Sequence, residues 1–367
     1  MSAEIIKFTR GVPPAIAFPQ DKLSAIAAEL IKKDSANVLQ YGNGYGYLPL
    51  RSLIAEQHQV SPENVVLGQG SLSLLDLLLR LDKNRVCRVG IQEPTYDRTI
   101  TLLKNLDLEI FSAASESAIL DIDNLHRKLA GGLKLDYLYV IPDFQNPTGS
   151  VMDFITRKKL TALAKEFNFL IIEDAPYRHL RYVGQDVPTC YDIDPEHVIF
   201  MSSYSKMICP GLRVGFMILP KLIAERLSKF AEDSYINCSF LNQAIVHRFA
   251  AEGWLDKHIS SIKELYNARR IALLDALEQN LDTYGSWENT KGGFFVGFTL
   301  NKNIPTDSLL EKSRDKDLIL TDGRGFFIKG GQNFLRLPFC ALTEDEIYIG
   351  ISRLQAVIEA IRIQKAY

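Results

Sequence analysis

No two cysteines in this chain stand at the spacing of a metal finger or a redox pair. The five (Cys87, Cys190, Cys209, Cys238 and Cys340) are scattered and odd in number. That pattern excludes a disulfide framework and reads as reduced, buried thiols in a cytoplasmic protein. The six histidines form no HxxxH pair and no Cys/His cluster, so neither a structural nor a catalytic zinc is expected. Charge of one sign is lacking too. Lys and Arg total 42 against 44 Asp and Glu, a formal net charge of −2, which gives no electrostatic case for nucleic acid or an anionic membrane. No apolar run approaches membrane-spanning length, and the opening MSAEIIKFTRG has no apolar leader core. Internal repeats and low-complexity tracts are absent. What the 367 residues do hold is apolar material, 47% of the chain. It is enough to bury a large core and suits two domains better than one.

Strand-like runs recur at intervals of roughly 30 residues between 64 and 219, each followed by a helix or turn, the mark of a mostly parallel α/β sheet. Strands are expected at 64–68, 136–142, 168–172 and 198–201, and helices at 21–33, from 48, from 71 and at 156–167. The glycines at 42, 44 and 46 follow no strand, so a turn into the next helix fits better than a nucleotide loop. From Glu252 the pattern changes to one long amphipathic helix, then the strand-like GGFFVGFTL and NFLRLPFC and a terminal helix. The expected division is a large domain over 36–255 and a smaller α+β domain made of 1–35 and 256–367. The proline-rich arm at 5–19 returns to the smaller part.

The most informative stretch is SSYSKMICPGLRVG, Ser202 to Gly215. Apolar flanks predict two buried strands joined by a hydroxyl-rich loop. Ser203, Ser205 and Arg213 would make a cup for a dianionic phosphate, because a guanidinium offers a charged fork and serines add directional donors. Lys206, with cations nearby, loses part of its preference for the protonated form and becomes a candidate Schiff-base nucleophile. Read alone, the loop is explained as well by a surface turn with a solvated lysine. Upstream, Gly70 and Ser71 open a helix whose free N–H groups suit an anion, or simply a serine cap. Tyr96, Asn146, Asp174 and Tyr177 stand near the ends of successive strands, which face one crevice in an open α/β sheet. Glu173 and Asp174 end an apolar run, where a carboxylate without a partner is costly. A phosphate cup, an aromatic plate, an amide and phenol pair, a carboxylate and a lysine together suit pyridoxal phosphate.

In these motifs the chain resembles the class I/II, fold-type-I pyridoxal-phosphate-dependent aminotransferases. It looks most like the subgroup of 2-aminoadipate and kynurenine aminotransferases and MocR-type effector domains. The likeness rests on FTRGVPPAIAFP, YGNGYGYLPLR, GQGSLSLLDLL, PDFQNPTG, EDAPY, SYSKMICPGLRVG and DGRGFFIKGGQNFLRLPF, in family order over nearly the whole chain. It implies that Lys206 carries the Schiff base and shuttles the proton, and that Asp174 keeps the pyridine nitrogen protonated. Asn146 and Tyr177 would hold the 3′-oxygen, with Tyr96 stacked on the ring. Gly70, Ser71, Leu72 (through its backbone N–H alone), Ser203, Ser205 and Arg213 would hold the phosphate. Tyr41 would reach the phosphate of a neighbouring subunit, which implies a homodimer with shared sites. Arg336 would clamp the substrate α-carboxylate beside Asn146, with Gly11 closing over it.

The implied reaction moves an α-amino group from an amino acid to a 2-oxo acid in the cytoplasm, with no nucleic acid or membrane partner. The same cofactor residues serve a lyase, cyclase or oxidase of specialised metabolism. A MocR-type sensing domain ranks lower, since such proteins carry an N-terminal helix-turn-helix module and this chain opens at the arm. Arg10 stands where some relatives have glycine, and Thr290–Lys291 replaces a proline often seen before the glycine pair.

Overall fold

The structure is a computed structural model that describes residues 5–81, 87–115, 120–301 and 304–365. Its strands are β1 (Ile6–Phe8), β2 (Val65–Gly68), β3 (Arg88–Ile91), β4 (Glu109–Ser112), β5 (Tyr137–Val140) and β6 (Leu170–Asp174). They continue with β7 (Val198–Ser203), β8 (Gly215–Ile218), β9 (Gly285–Trp287), β10 (Phe295–Leu300), β11 (Leu318–Leu320) and β12 (Phe334–Pro338). Seven of them form the main sheet in the order β2-β8-β7-β6-β5-β3-β4. All its pairings are parallel except those of β8, which runs antiparallel to both β7 and β2. The sheet is thus mostly parallel, as the spacing of strand-like runs predicts.

Helices cover both faces, so the central strands are buried on both sides and read as nearly unbroken apolar runs. Tyr139, Ile172 and Met201 pack on one face with Leu74 and Leu78 of helix Ser71–Leu81 and Leu227 of helix Lys221–Tyr235. Leu138, Ile171 and Phe200 pack on the other with Leu160 of helix Phe154–Phe167 and Ile245 of helix Phe240–Ala251. A third core joins β10 and β12 to helices Trp254–Leu281 and Glu344–Lys365.

Two local expectations change. The arm is not wholly irregular: β1 pairs in parallel with β11 and buries Ile6 and Phe8 in the third core. Helix Gln20–Lys33 leaves the arm and buries Ile26 and Leu30 in the core of the main sheet. The strand expected at 168–172 begins at Leu170, because Asn168 takes a left-handed conformation (φ +55°) that caps the preceding helix. The strand also runs on past 172, so Glu173 and Asp174 lie inside β6. A strand turns successive side chains to opposite faces, so the two acids part company. Glu173 faces the side where Cys190 and Tyr191 donate their backbone N–H groups to it at 3.1 and 2.9 Å. Asp174 faces the other.

Candidate active site

Strands β3, β5, β6 and β7 are mutually parallel, so their C-terminal ends share one edge of the sheet. Strand β2 points the same way, since β8 is antiparallel to both it and β7. The segments leaving these ends carry Ser71, Tyr96, Asn146, Asp174 and Lys206, and Arg213 stands just before β8 starts at the same edge. A cleft of about 400 Å³ opens there. It is lined by Gly11, Gly70, Ser71, Leu72, Tyr96, Asn146, Asp174, Tyr177, Ser203, Ser205, Lys206, Arg213 and Arg336. Every residue that the sequence assigns to the cofactor or substrate is there except Tyr41, which is 77% exposed on the outer surface.

The phosphate cup is built by close approach. Gly70 has φ +91°, and a Cβ there would run into the guanidinium of Arg213. A Cβ at Gly215 would strike the backbone N of Ser71. Only glycine at both positions lets the start of helix Ser71–Leu81 lie against Arg213. Arg213 donates to the Gln69 carbonyl at 2.8 Å and to the Ser205 hydroxyl at 3.5 Å. The Ser203 hydroxyl is buried and bonds inward, to Ser205 Oγ at 2.9 Å and the Val214 carbonyl at 3.2 Å. Free helical N–H groups, a hydroxyl and a guanidinium around a space that no Cβ fills are a donor set that fits a phosphate.

Lys206 lies deeper. Its Nζ donates to the Gly11 carbonyl at 3.1 Å. Burial lowers its pKa below the ordinary lysine value, with Arg213 and Arg336 adding to the effect, in the direction a nucleophilic amine needs. Across the cleft, burial pushes the Asp174 carboxyl up to about 7, and a hydrogen bond from Tyr139 opposes the rise. One oxygen of Asp174 has no hydrogen-bond partner among the described residues. A buried, unpaired carboxylate oxygen aimed at a cleft is a demand for a donor, and a protonated ring nitrogen satisfies it.

Arg336, on β12, is 7% exposed. Its guanidinium lies between the rings of Phe295 and Phe326, at 4.8 and 4.6 Å from their centroids. It donates to Asn146 Oδ1 at 3.0 Å and to the Thr9 carbonyl at 2.7 Å. The aromatic clamp fixes its plane, while the Nε has no partner among the described residues. Tyr177 packs edge-on against Phe295, and a Cβ on Gly11 would enter the same ring. Arm, clamp and phenol therefore form one wall.

Sequence reasoning missed the frame behind this wall. Asp143, fully buried, accepts from Arg157 at 2.8 Å, Arg178 at 3.0 Å and Arg181 at 3.4 Å. It anchors the start of the loop that bears Asn146. Thr290, noted only as a departure from proline, donates to the Gly149 carbonyl at 2.8 Å and ties that loop to the turn before β10. Phe295 and Phe326 were legible only as apolar residues. Their service to Arg336 depends on folding.

Known proteins bear on this geometry. A family model for aminotransferase class I and II matches residues 4–354. The aromatic-amino-acid aminotransferase 1 of Thermococcus litoralis is 32% identical over 98% of this chain and 89% of its own length. The α-aminoadipate aminotransferase of Thermus thermophilus, solved with N-(5′-phosphopyridoxyl)-L-leucine, superposes with a TM-score of 0.92. It is 28% identical, over 98% of this chain and 93% of that one. The multiple substrate aminotransferase of Thermococcus profundus reaches the same TM-score at 30% identity, over 99% and 93% of the two chains. With a match spanning the fold and the cleft alike, the chain belongs to the aminotransferase class I and II family.

Proposed function

We propose that this aminotransferase holds pyridoxal phosphate in the cleft and moves an α-amino group from an amino acid to a 2-oxo acid. One observation carries the assignment of residues. Lys206, the unpartnered oxygen of Asp174 and the Gly70–Ser71–Ser205–Arg213 cup all open into a single cleft. The cofactor supplies an electron sink that lets the substrate Cα–H bond break and the amino group change carrier.

The chain's own residues do the rest. Gly70, Ser71, Leu72, Ser205 and Arg213 bind the phosphate, with Ser203 bracing Ser205 from behind. Asp174 keeps a proton on the pyridine nitrogen. Tyr96 would cover one ring face, and Asn146 and Tyr177 would hold the 3′-oxygen. Lys206 would hold the cofactor through its Nζ, and the same amine, once released, would move the proton at the substrate Cα. Arg336 binds the α-carboxylate. To do so it exchanges its contact with the Thr9 carbonyl for a charged partner, which links substrate binding to the arm that carries Gly11.

A fixed guanidinium fork matches a carboxylate with two parallel bonds, whereas lysine offers a point charge. Arg336→Lys should therefore lower kcat/KM by about ten- to a hundredfold for both amino and oxo acids, chiefly through KM, because charge-assisted bonds of this size are lost. The absorbance of the bound cofactor should stay unchanged. Normal turnover, or a loss of cofactor, would make Arg336 structural.

Tyr41 concerns assembly. Its exposure, with neighbouring Leu39 59% and Leu48 55% exposed, suits a surface covered by a second copy of the chain. In a homodimer with shared sites, Tyr41→Phe mixed with Lys206→Ala should restore one working site per heterodimer. Activity no higher than that of the separate variants would put Tyr41 outside any shared site.

The smaller domain is taken as 1–35 with 256–367, a division supported by the burial of Ile6 and Phe8 of β1 in the third core. The five cysteines, none of them in a disulfide, fit the cytoplasm. No helix among the described residues is long and apolar enough to cross a membrane. The reaction itself is tested with a panel of amino donors against 2-oxoglutarate and pyruvate. One 2-oxo acid formed per amino group transferred is the expected result. Stoichiometric ammonia instead would mean a lyase or an oxidase.

A further inference from the structure

We propose that Tyr139 is the positioning residue that turns one oxygen of Asp174 into the cleft and stabilises the charge on it. The inference rests on reading the cleft as a pyridoxal phosphate site. Tyr139 belongs to none of the motifs above. It sits in mid-sheet on β5, opposite Ile172 of β6 and Ile91 of β3. In a parallel ladder the residue two places beyond a partner shares its face and lies on the diagonal. From Tyr139 that residue is Asp174.

The geometry is specific. Tyr139 is 1% exposed and Asp174 5%. The phenol O–H donates to Asp174 Oδ2 at 2.6 Å, and Oδ1 is the oxygen left without a partner among the described residues. A carboxylate bound through one oxygen has its plane fixed, so the other oxygen has a set direction. Simple packing accounts poorly for the choice of residue. The opposing positions are isoleucines, and an aliphatic side chain would fill such a site without burying a hydroxyl. The sign of the effect follows from the donor. An O–H bond to the carboxylate favours its ionised form against burial, which drives it toward the neutral acid. A neutral acid cannot hold a proton on a ring nitrogen by charge.

Tyr139→Phe, which keeps the ring and removes the donor, tests this with two readouts that do not depend on turnover. The cofactor-free variant should bind pyridoxal phosphate about tenfold more weakly or worse, as expected for a lost hydrogen bond to a charged group. The visible band of the bound cofactor should titrate at higher pH than in the parent. A less positive ring withdraws less from the nitrogen joined to Lys206, which then keeps its proton longer. In an Asp174→Asn background the same substitution should change neither readout further, since Tyr139 acts through the carboxylate. Site-specific 3-fluorotyrosine at 139, a stronger donor of nearly the same volume, should shift the titration the opposite way. Parent-like affinity and titration in Tyr139→Phe, or an equal loss in the Asp174→Asn background, would overturn the inference. A parent protein that takes up no pyridoxal phosphate would remove the reading of the cleft, and this inference with it.

Discussion

Lys206→Ala should fold and still take up pyridoxal phosphate, yet its half-reaction with an amino acid should fall by about four orders of magnitude. Two losses coincide at one atom. Nζ is the nucleophile that carries the cofactor, and it is the base that moves the Cα proton. No other lysine among the described residues lines the cleft, so none there can take over either role. The phosphate cup does not use this side chain, because Arg213 is anchored on Gln69 and Ser205 rather than on Lys206. Cofactor affinity should therefore survive better than catalysis. Single-turnover absorbance after mixing with an amino donor measures the drop. A variant within about tenfold of the parent, far short of the loss of a positioned general base, would exclude Lys206 from the chemistry.

Asp174→Asn should cost less, though still about ten- to a thousandfold in the same half-reaction. An opposite charge beside a titrating nitrogen shifts its pKa by about 1–3 units, roughly 1.4–4 kcal/mol, in favour of the electron-poor ring. The amide keeps the shape and loses that charge. The same residue leaves a signature in the cofactor-free protein. Burial raises its carboxyl, and that of Glu173, to about 7. An acid whose pKa is raised on folding binds its proton more tightly in the native state. Its contribution is thus present below the unfolded value of about 4 and is lost as pH rises toward 7. Asp174→Asn should flatten part of that decline, leaving the share due to Glu173. Denaturant midpoints measured from pH 4 to 8 would show it. An unchanged slope would mean that Asp174 is not held in a desolvated site.

Much of this site was legible in the sequence because its chemistry is concentrated in side chains that have few other uses at strand ends. Lys206, Asp174 and Asn146 each follow an apolar run, and parallel strands bring such ends to one edge without any knowledge of packing, whereas Arg213 precedes the run that forms antiparallel β8. What stayed hidden belongs to contacts between distant segments. Tyr139 reads as one more β-former in DYLYVIP, and its bond to Asp174 needs the β5–β6 register. Glu173 and Asp174 look alike in sequence. They separate because the strand runs on through Asp174 and sends them to opposite faces. The clamp on Arg336 joins residues 295, 326 and 336, whose apolar surroundings say core and nothing about a guanidinium between two rings. The arm is similar: prolines around Gly11 suggest irregular chain, while the β1–β11 pairing that fixes it lies more than 300 residues away in sequence.

The most direct test of the account is chemical. The purified protein, loaded with pyridoxal phosphate, is reduced with borohydride, digested and mapped by mass spectrometry. The account predicts that the visible band bleaches and that a 5′-phosphopyridoxyl mass appears on the peptide containing Lys206, one per chain. A label on any other lysine, or no label at all, would contradict it.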